Sequence, residues 1–319
     1  MGFKASLGAC ARPPLMFEPV PPPKRSSPAE IDAHLDELAD IIGHLPHVGS
    51  VNVPQIVGGS YETVDALDYA ISVQRTTGVE TLVNKIVALT PPDELPAWVE
   101  HAREQGIRHL ILVGGESSRI DYPGPSVTQA NRIAAPLVDD GTIGNICIPF
   151  RRRRGSDEPD RMVQKTQAGA DHFTSQIVLE PLTTRRLLRD YDRACRLAGV
   201  RPATVFIGLA PVTDARDIKL LKHLGVEVPA HVERDILWDE KDVGLRSLEL
   251  NLGILRQVLE AARNENIQVP IGLNVEQVSL KNWDASVELA QEAAFLLEEH
   301  TWLAEDPSPR VTTPPPVSS

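Results

Sequence analysis

Met16-Phe17-Glu18-Pro19-Val20-Pro21-Pro22-Pro23 is a short apolar run that carries one carboxylate and stops against prolines. Proline removes the ladder N–H and holds the residue before it extended, so the run reads as a strand ending at Glu18. A carboxylate there has two readings. In a parallel barrel, catalytic groups occupy the C-terminal ends of the strands, and Glu18 would stand at the mouth. Otherwise it is a solvated group at a loop entrance. The rest of the chain decides.

Ser27-Pro28-Ala29-Glu30 spells a capping box with proline at the first helical position, and Ile31, Leu35, Leu38 and Ile42 follow at helical spacing. Strand-type runs then alternate with helical periods. Gly49 to Val53 is a strand, followed by a helix from about Glu62 to Thr76 and a strand from Leu82 to Leu89. Thr90-Pro91-Pro92-Asp93 opens a capped helix that Gly106 ends, and the strand Ile107 to Val113 runs into Gly114-Gly115-Glu116. A helix near 126–138, a strand from Ile143 to Ile148, a helix from Asp160 to Gln167 and a strand from His172 to Leu179 continue the pattern. Thr184 to Leu197 is a helix closed by Gly199, and Thr204 to Leu209 is the seventh strand. Helical periods cover Ala215 to Leu224 and Val243 to Asn264, before an eighth strand, Val269 to Leu273, and a last helix, Ala285 to His300.

Eight alternations predict an α/β fold with a parallel sheet, and eight favours closure into a single (β/α)8 TIM barrel over a doubly wound open sheet. No G-x-G-x-x-G follows the first strand, which removes the usual sign of a dinucleotide-binding open sheet. Residues 1–14 read as an N-terminal arm and 15–304 as the barrel. Residues 305–319, rich in Pro, Ser and Thr, read as a disordered tail.

The bulk numbers fit. A barrel takes about 250 residues, so a chain of 319 holds one with tails to spare. Aromatics make up only 4% against 42% hydrophobic residues, so the core must be built of Leu, Ile, Val and Ala. A net charge of −12 argues against a nucleic-acid or anionic-membrane binder. Cys10, Cys147 and Cys195 are isolated and lack metal spacing, as in a reduced cytoplasmic protein. No stretch approaches the ~20 apolar residues of a membrane span, and no signal pattern opens the chain. The expected compartment is the cytoplasm.

Under the barrel reading, the polar residues at strand ends converge on one mouth: Glu18, Asn52, Asn84 or Lys85, Glu116, Gln176 and Asn274. Each also has a bland reading as a capping or solvated group. Gln176 can offer a heterocycle both a donor and an acceptor. Glu18, if desolvated, becomes an acid able to deliver a proton. Lys85 is a candidate Schiff-base lysine of an aldolase or lyase barrel, although a pairing or anion-binding role is commoner. His44 and His47 flank a proline and lack the geometry of a two-histidine metal site, so no metal is assigned. Neither H-E-x-x-H nor G-x-S-x-G occurs. Arg151 to Arg154 follow the fifth strand directly and could receive phosphates or the carboxylates of a polyanionic tail.

Taken in order, these residues resemble the methylenetetrahydrofolate reductase family. The similarity runs from about Phe17 to Ala293. It is carried by Phe17-Glu18-Pro19-Val20-Pro21-Pro22, Ile107-Arg108-His109, Ala168-Gly169-Ala170 with Thr174-Ser175-Gln176, and Gly208-Leu209-Ala210-Pro211-Val212. The resemblance implies a (β/α)8 barrel that reduces 5,10-methylenetetrahydrofolate to 5-methyltetrahydrofolate, commonly through FAD. It makes Glu18 the general acid and puts Gln176 on the pterin with Glu116. Asn52 and Asn274 join them as substrate-side candidates, and Lys165 matches a lysine associated with the flavin phosphates.

The departures matter. Gly114-Gly115-Glu116 stands where the family has Arg-Gly-Asp. Ile148-Pro149-Phe150-Arg151-Arg152-Arg153-Arg154 replaces a Tyr-Pro-Glu-x-His-Pro-Glu segment, and Val83-Asn84 replaces Pro-His. Three flavin-facing positions have changed together. The expectation is therefore direct hydride transfer from NADH, with NADPH possible, and no bound FAD. Asn84, Lys165, Arg151 and Arg152 are the cofactor-side candidates. A catalytically silent folate-binding homologue is the further alternative, and no oligomeric state is assigned.

Overall fold

The computed structural model describes residues 2–7, 13–58, 62–115, 120–151 and 157–304, with side chains to residue 299. Its eight strands are β1 (Leu15–Glu18), β2 (Val48–Val53), β3 (Glu80–Ile86), β4 (His109–Val113), β5 (Thr142–Cys147), β6 (His172–Ser175), β7 (Thr204–Leu209) and β8 (Ile271–Glu276). They pair in parallel in chain order and close, β8 on β1, into a barrel. The fold class read from the sequence is the fold observed.

The helices are α1 (Phe3–Ser6), α2 (Pro28–His44), α3 (Ala66–Thr77), α4 (Leu95–Glu104), α5 (Val127–Ala134), α6 (Glu158–Gln167), α7 (Pro181–Ala198), α8 (Ala215–His223), α9 (Ala230–Ile236), α10 (Val243–Asn264) and α11 (Trp283–Ala304). The Ser27 hydroxyl accepts from the Glu30 N–H and the Glu30 carboxylate from the Ser27 N–H, as the capping box requires. At α4 the expectation fails. The helix begins later, at Leu95, and no side chain caps it. The helix expected from Glu62 starts at Ala66, because Asp65 accepts from the Leu67 and Asp68 N–H groups and fixes the N-terminus there.

Side chains alternate along each strand. Outward residues such as Phe17, Val51, Val83, Leu112, Phe173, Ile207 and Val275 join the helices in the main hydrophobic core. Inward residues Met16, Leu82, Ile111 and Phe206 fill the barrel, and Phe3 of α1 packs among them. The segment expected to be an arm thus supplies the barrel's bottom plug. The Phe3 ring lies 5.0 Å from His109, 5.3 Å from His172 and 5.7 Å from Phe206, and its N–H donates to Glu80.

Three strand ends differ from the sequence reading by three residues or more, and all bear on the mouth. β6 stops at Ser175, because Ile177 and Leu179 leave the sheet for a second hydrophobic cluster with Ile218, Leu221, Val232 and Ile236 of α8 and α9. β8 runs on to Glu276. Asn and Glu are depleted in strands, so the apolar pattern ends at Leu273 while the ladder does not. β3 ends at Ile86 and passes into a 3-10 turn at Val87–Leu89.

Candidate active site

The barrel mouth is polar because the inward positions change character towards the C-terminal ends of β1, β2, β3 and β8. There the inward residues are Glu18, Asn52, Asn84, Asn274 and Glu276, directly above Met16 and Leu82. β7 contributes Gly208, and β4 and β5 contribute Val113 and Ile146.

Glu18 sits at the centre of this constellation. Its Oε2 accepts from Asn52 Nδ2 at 2.5 Å and from Asn274 Nδ2 at 2.7 Å. Both asparagines are fully buried. The backbone is fixed as well, since the Glu18 carbonyl accepts from the Gln277 N–H and the Gln277 Oε1 accepts from the Val20 N–H. Burial pushes the Glu18 carboxyl up to about 7, although both amide hydrogen bonds pull the other way. Such a group is half protonated near neutral pH, where a general acid works best.

The sequence reading missed Glu276. Its Cα is the register partner of Glu18, and the Asn274 amide that holds Glu18 also donates to Glu276 Oε1 at 3.2 Å. Burial, then the neighbouring Glu18 charge, raises the Glu276 carboxyl well above the ordinary carboxylate range. Gly208 makes room for it: a Cβ at that position would lie 2.5 Å from Glu276 Oε1 and 2.7 Å from the Ser175 carbonyl. One signal could have found Glu276. Alternation from Asn274 puts the next inward residue two positions on.

Asn52, Asn84 and Asn274 keep a further property. The Oδ1 atom of each is buried and has no hydrogen-bond partner among the described residues, and neither has Nε2 of the buried Gln277. Buried polar atoms are paired in nearly every folded protein, so three orphan acceptors and a donor around one mouth call for a ligand or ordered water.

The other candidates are placed differently. Gln176 lies on the β6 side, where its Nε2 donates to the Leu224 carbonyl at 3.3 Å and its Oε1 accepts from the Ile177 N–H at 3.0 Å. The backbone on either side of it, the Ser175 carbonyl and the Ile177 N–H, borders Gly208. Glu116 and Arg152 lie outside the described residues.

Lys165, on α6, is buried behind the sheet. Its Nζ donates to the Ile146 carbonyl at 2.8 Å and stands 5.9 Å from the Phe173 ring centre. Lys85 corrects the sequence reading. It shares the outward face of β3 with Val83, and its Nζ lies 4.9 Å from the Trp98 ring centre on α4. Alternation therefore turns it away from the mouth, where a Schiff-base lysine would have to be. Arg151 faces Glu158, with Nη1 3.5 Å from Oε2.

One wall of the mouth is cross-braced. Buried Asp217 on α8 accepts from Thr213 N–H and Oγ1, both at 2.8 Å, and from Ser279 Oγ at 3.1 Å. Asn282 Nδ2 donates to the Pro211 carbonyl at 3.0 Å, and Ser247 Oγ accepts from the Val212 N–H at 2.8 Å. The loops after β7 and β8 are thus tied to each other and to α8 and α10.

No protein-family model matches this chain, and no curated protein matches it in sequence. Solved structures do. An uncharacterized protein from Clostridium thermocellum, described as binding two copies of 5-methyl-5,6,7,8-tetrahydrofolic acid, superposes with a TM-score of 0.75 at 20% identity. The match covers 89% of this chain and 96% of that one. The monooxygenase RslO1 from Streptomyces bottropensis matches with a TM-score of 0.53 at 14% identity, over 90% of this chain and 99% of that one. At these identities the likeness is one of fold. Among the described residues, no helix is long and apolar enough to cross a membrane.

Proposed function

We propose that the barrel mouth binds a reduced folate and that the chain reduces 5,10-methylenetetrahydrofolate to 5-methyltetrahydrofolate with a nicotinamide cofactor. The observation that carries this reading is Glu18, a carboxyl raised to about 7 and held by two buried amides at the end of β1. The folate ligand of the Clostridium thermocellum protein, whose structure follows this one over most of both chains, supports the choice of substrate. So does the resemblance of the Phe17 to Pro22 segment to methylenetetrahydrofolate reductases.

The chemistry needs what the site offers. Opening the five-membered ring requires a proton on the departing amine nitrogen, which Glu18 donates as the C–N bond breaks and an iminium forms. The orphan Oδ1 atoms of Asn52, Asn84 and Asn274 suit the ring N–H and amino groups of a pterin. Reduced nicotinamide, when bound at the mouth, would supply the hydride.

The reading without a flavin rests on the departures at Gly114, Asn84 and the Arg151 to Arg154 segment. Lys165 and Arg151, the described cations assigned to a cofactor, are turned to the Ile146 carbonyl and to Glu158. No step is routed through FAD, and NADH is the preferred donor over NADPH.

The test is NADH oxidation by the purified protein with 5,10-methylenetetrahydrofolate, with and without added FAD, repeated with NADPH and with Glu18→Gln. The expected outcome is FAD-independent turnover that falls by roughly two to four powers of ten in the variant. A yellow protein, or activity that depends on FAD, overturns direct transfer but leaves the folate assignment standing. Tight binding of 5-methyltetrahydrofolate without turnover selects the second reading, a non-catalytic folate binder; folate binding by the Clostridium thermocellum protein is compatible with either.

A further inference from the structure

The reaction above uses one carboxyl, and the mouth holds two. We propose that the acid of this site is a two-carboxyl unit, Glu18 with Glu276, in which one group carries the proton and the other the negative charge. The chemical role of the unit rests on the folate-reductase reading; its existence does not.

Three observations build it. Glu18 and Glu276 are register partners across the β1–β8 seam, so both carboxyls rise from the same level of the barrel. A single amide nitrogen, Asn274 Nδ2, donates to both, at 2.7 Å and 3.2 Å, which spends its two hydrogens and ties the groups together. Gly208 on β7 leaves the space that Glu276 Oε1 occupies, and any side chain there would displace it. No cation among the described residues neutralises the pair. Asn52 and Asn274 act on Glu18, while Asn274 and the Glu18 charge act on Glu276. Two close carboxylates without a cation resist ionising together, so they share protons as one coupled system.

The two members are unequal. Glu18 has two amide donors and Glu276 has one. Donors favour the ionised form, so the shared proton rests on Glu276 and reaches the substrate through Glu18, which gives it up more readily. In the reaction, the pair begins with one proton and one charge. The proton goes to the amine nitrogen of the opening ring, the C–N electrons stay on that nitrogen, and the other ring nitrogen forms the iminium. The pair then carries two charges beside one positive charge. Hydride from the nicotinamide completes the methyl group, and the pair recovers a proton from water.

The test has two arms. The first is carbon-13 NMR of protein labelled at the glutamate carboxyls, titrated in wild type, Glu18→Gln and Glu276→Gln. The expected result is that Glu276 titrates at lower pH in Glu18→Gln than in wild type, because the like charge is gone. An unchanged Glu276 midpoint overturns the unit whatever the protein's activity. The second arm is turnover. Glu276→Gln is expected to lose roughly a hundredfold or more in kcat while its affinity for 5-methyltetrahydrofolate changes by no more than about threefold. Glu276→Asp is expected to recover part of the loss. Full turnover in Glu276→Gln, or equal loss of binding and turnover, overturns a catalytic role. If wild type has no reductase activity, the functional reading fails while the titration still decides the unit; if Glu276→Gln does not fold, Glu18→Gln carries the first arm.

Discussion

At the scale of single residues, the buried carboxyl at the end of β1 has a cost that can be measured without any substrate. Glu18 titrates near 7 in the folded chain and near 4.5 otherwise, so between those values the folded state holds more protons than the unfolded one. Stability must then fall as pH rises through that window. Glu18→Gln removes the titration. It is expected to match wild type at pH about 4 and to be more stable above pH 8, by at most about 3 kcal/mol. Chemical denaturation at the two pH values checks this, and a variant no more stable at high pH would show that the carboxyl is not desolvated. His172 has the opposite sign. Burial lowers it to about 3, and both ring nitrogens lack partners among the described residues, so it weakens the fold as pH drops below about 6.5. Gly208→Ala probes the space that Glu276 fills. Its Cβ would meet a backbone carbonyl as well as the carboxyl, so the strand itself must shift. The expected cost is about 1–3 kcal/mol, with turnover lost along with it.

At the scale of elements, the N-terminal helix is the least expected contributor. α1 has only four residues and could not persist alone, yet Phe3 is buried against His109, His172 and Phe206. Phe3→Ala should cost about 3 kcal/mol and let water reach His172, raising its pKa toward the ordinary imidazole value. Denaturant melts and a histidine NMR titration would show both, and an unchanged His172 would mean that the plug does not seal the bottom. The sequence could not announce this. Phe3 lies in a segment without periodicity, and its docking site is assembled from β4, β6 and β7, far along the chain. The strand–helix rhythm was legible because each barrel strand is an apolar run bounded by Gly or Pro. Glu18, Asn52, Asn84 and Asn274 were legible as strand-end polar groups for the same reason. Glu276 was not, because Asn274 appeared to end an apolar run that in fact continues in the ladder. Lys85 misled because a charge near a strand end says nothing of its facing until the register is known.

At the scale of the whole molecule, occupancy of the mouth should be visible in global stability. A ligand that binds only the folded chain adds about 2.7 kcal/mol at a hundred times its Kd. 5-Methyltetrahydrofolate is expected to raise the Tm of the wild type in proportion, whereas pterin-free additives such as p-aminobenzoylglutamate should raise it less. Equal shifts for both would move recognition from the barrel interior to the rim. The brace formed by Asp217, Ser279, Asn282 and Ser247 then acquires a mechanical meaning. It makes one jaw of the mouth an anvil. A ligand pressed against β7 and β8 meets a surface that cannot give, so accommodation falls to the opposite jaw, the segment after β3. Hydrogen exchange would record that asymmetry: amides of 210–217 and 277–282 should be slow with or without ligand, while those of 87–94 slow down only when the mouth is filled.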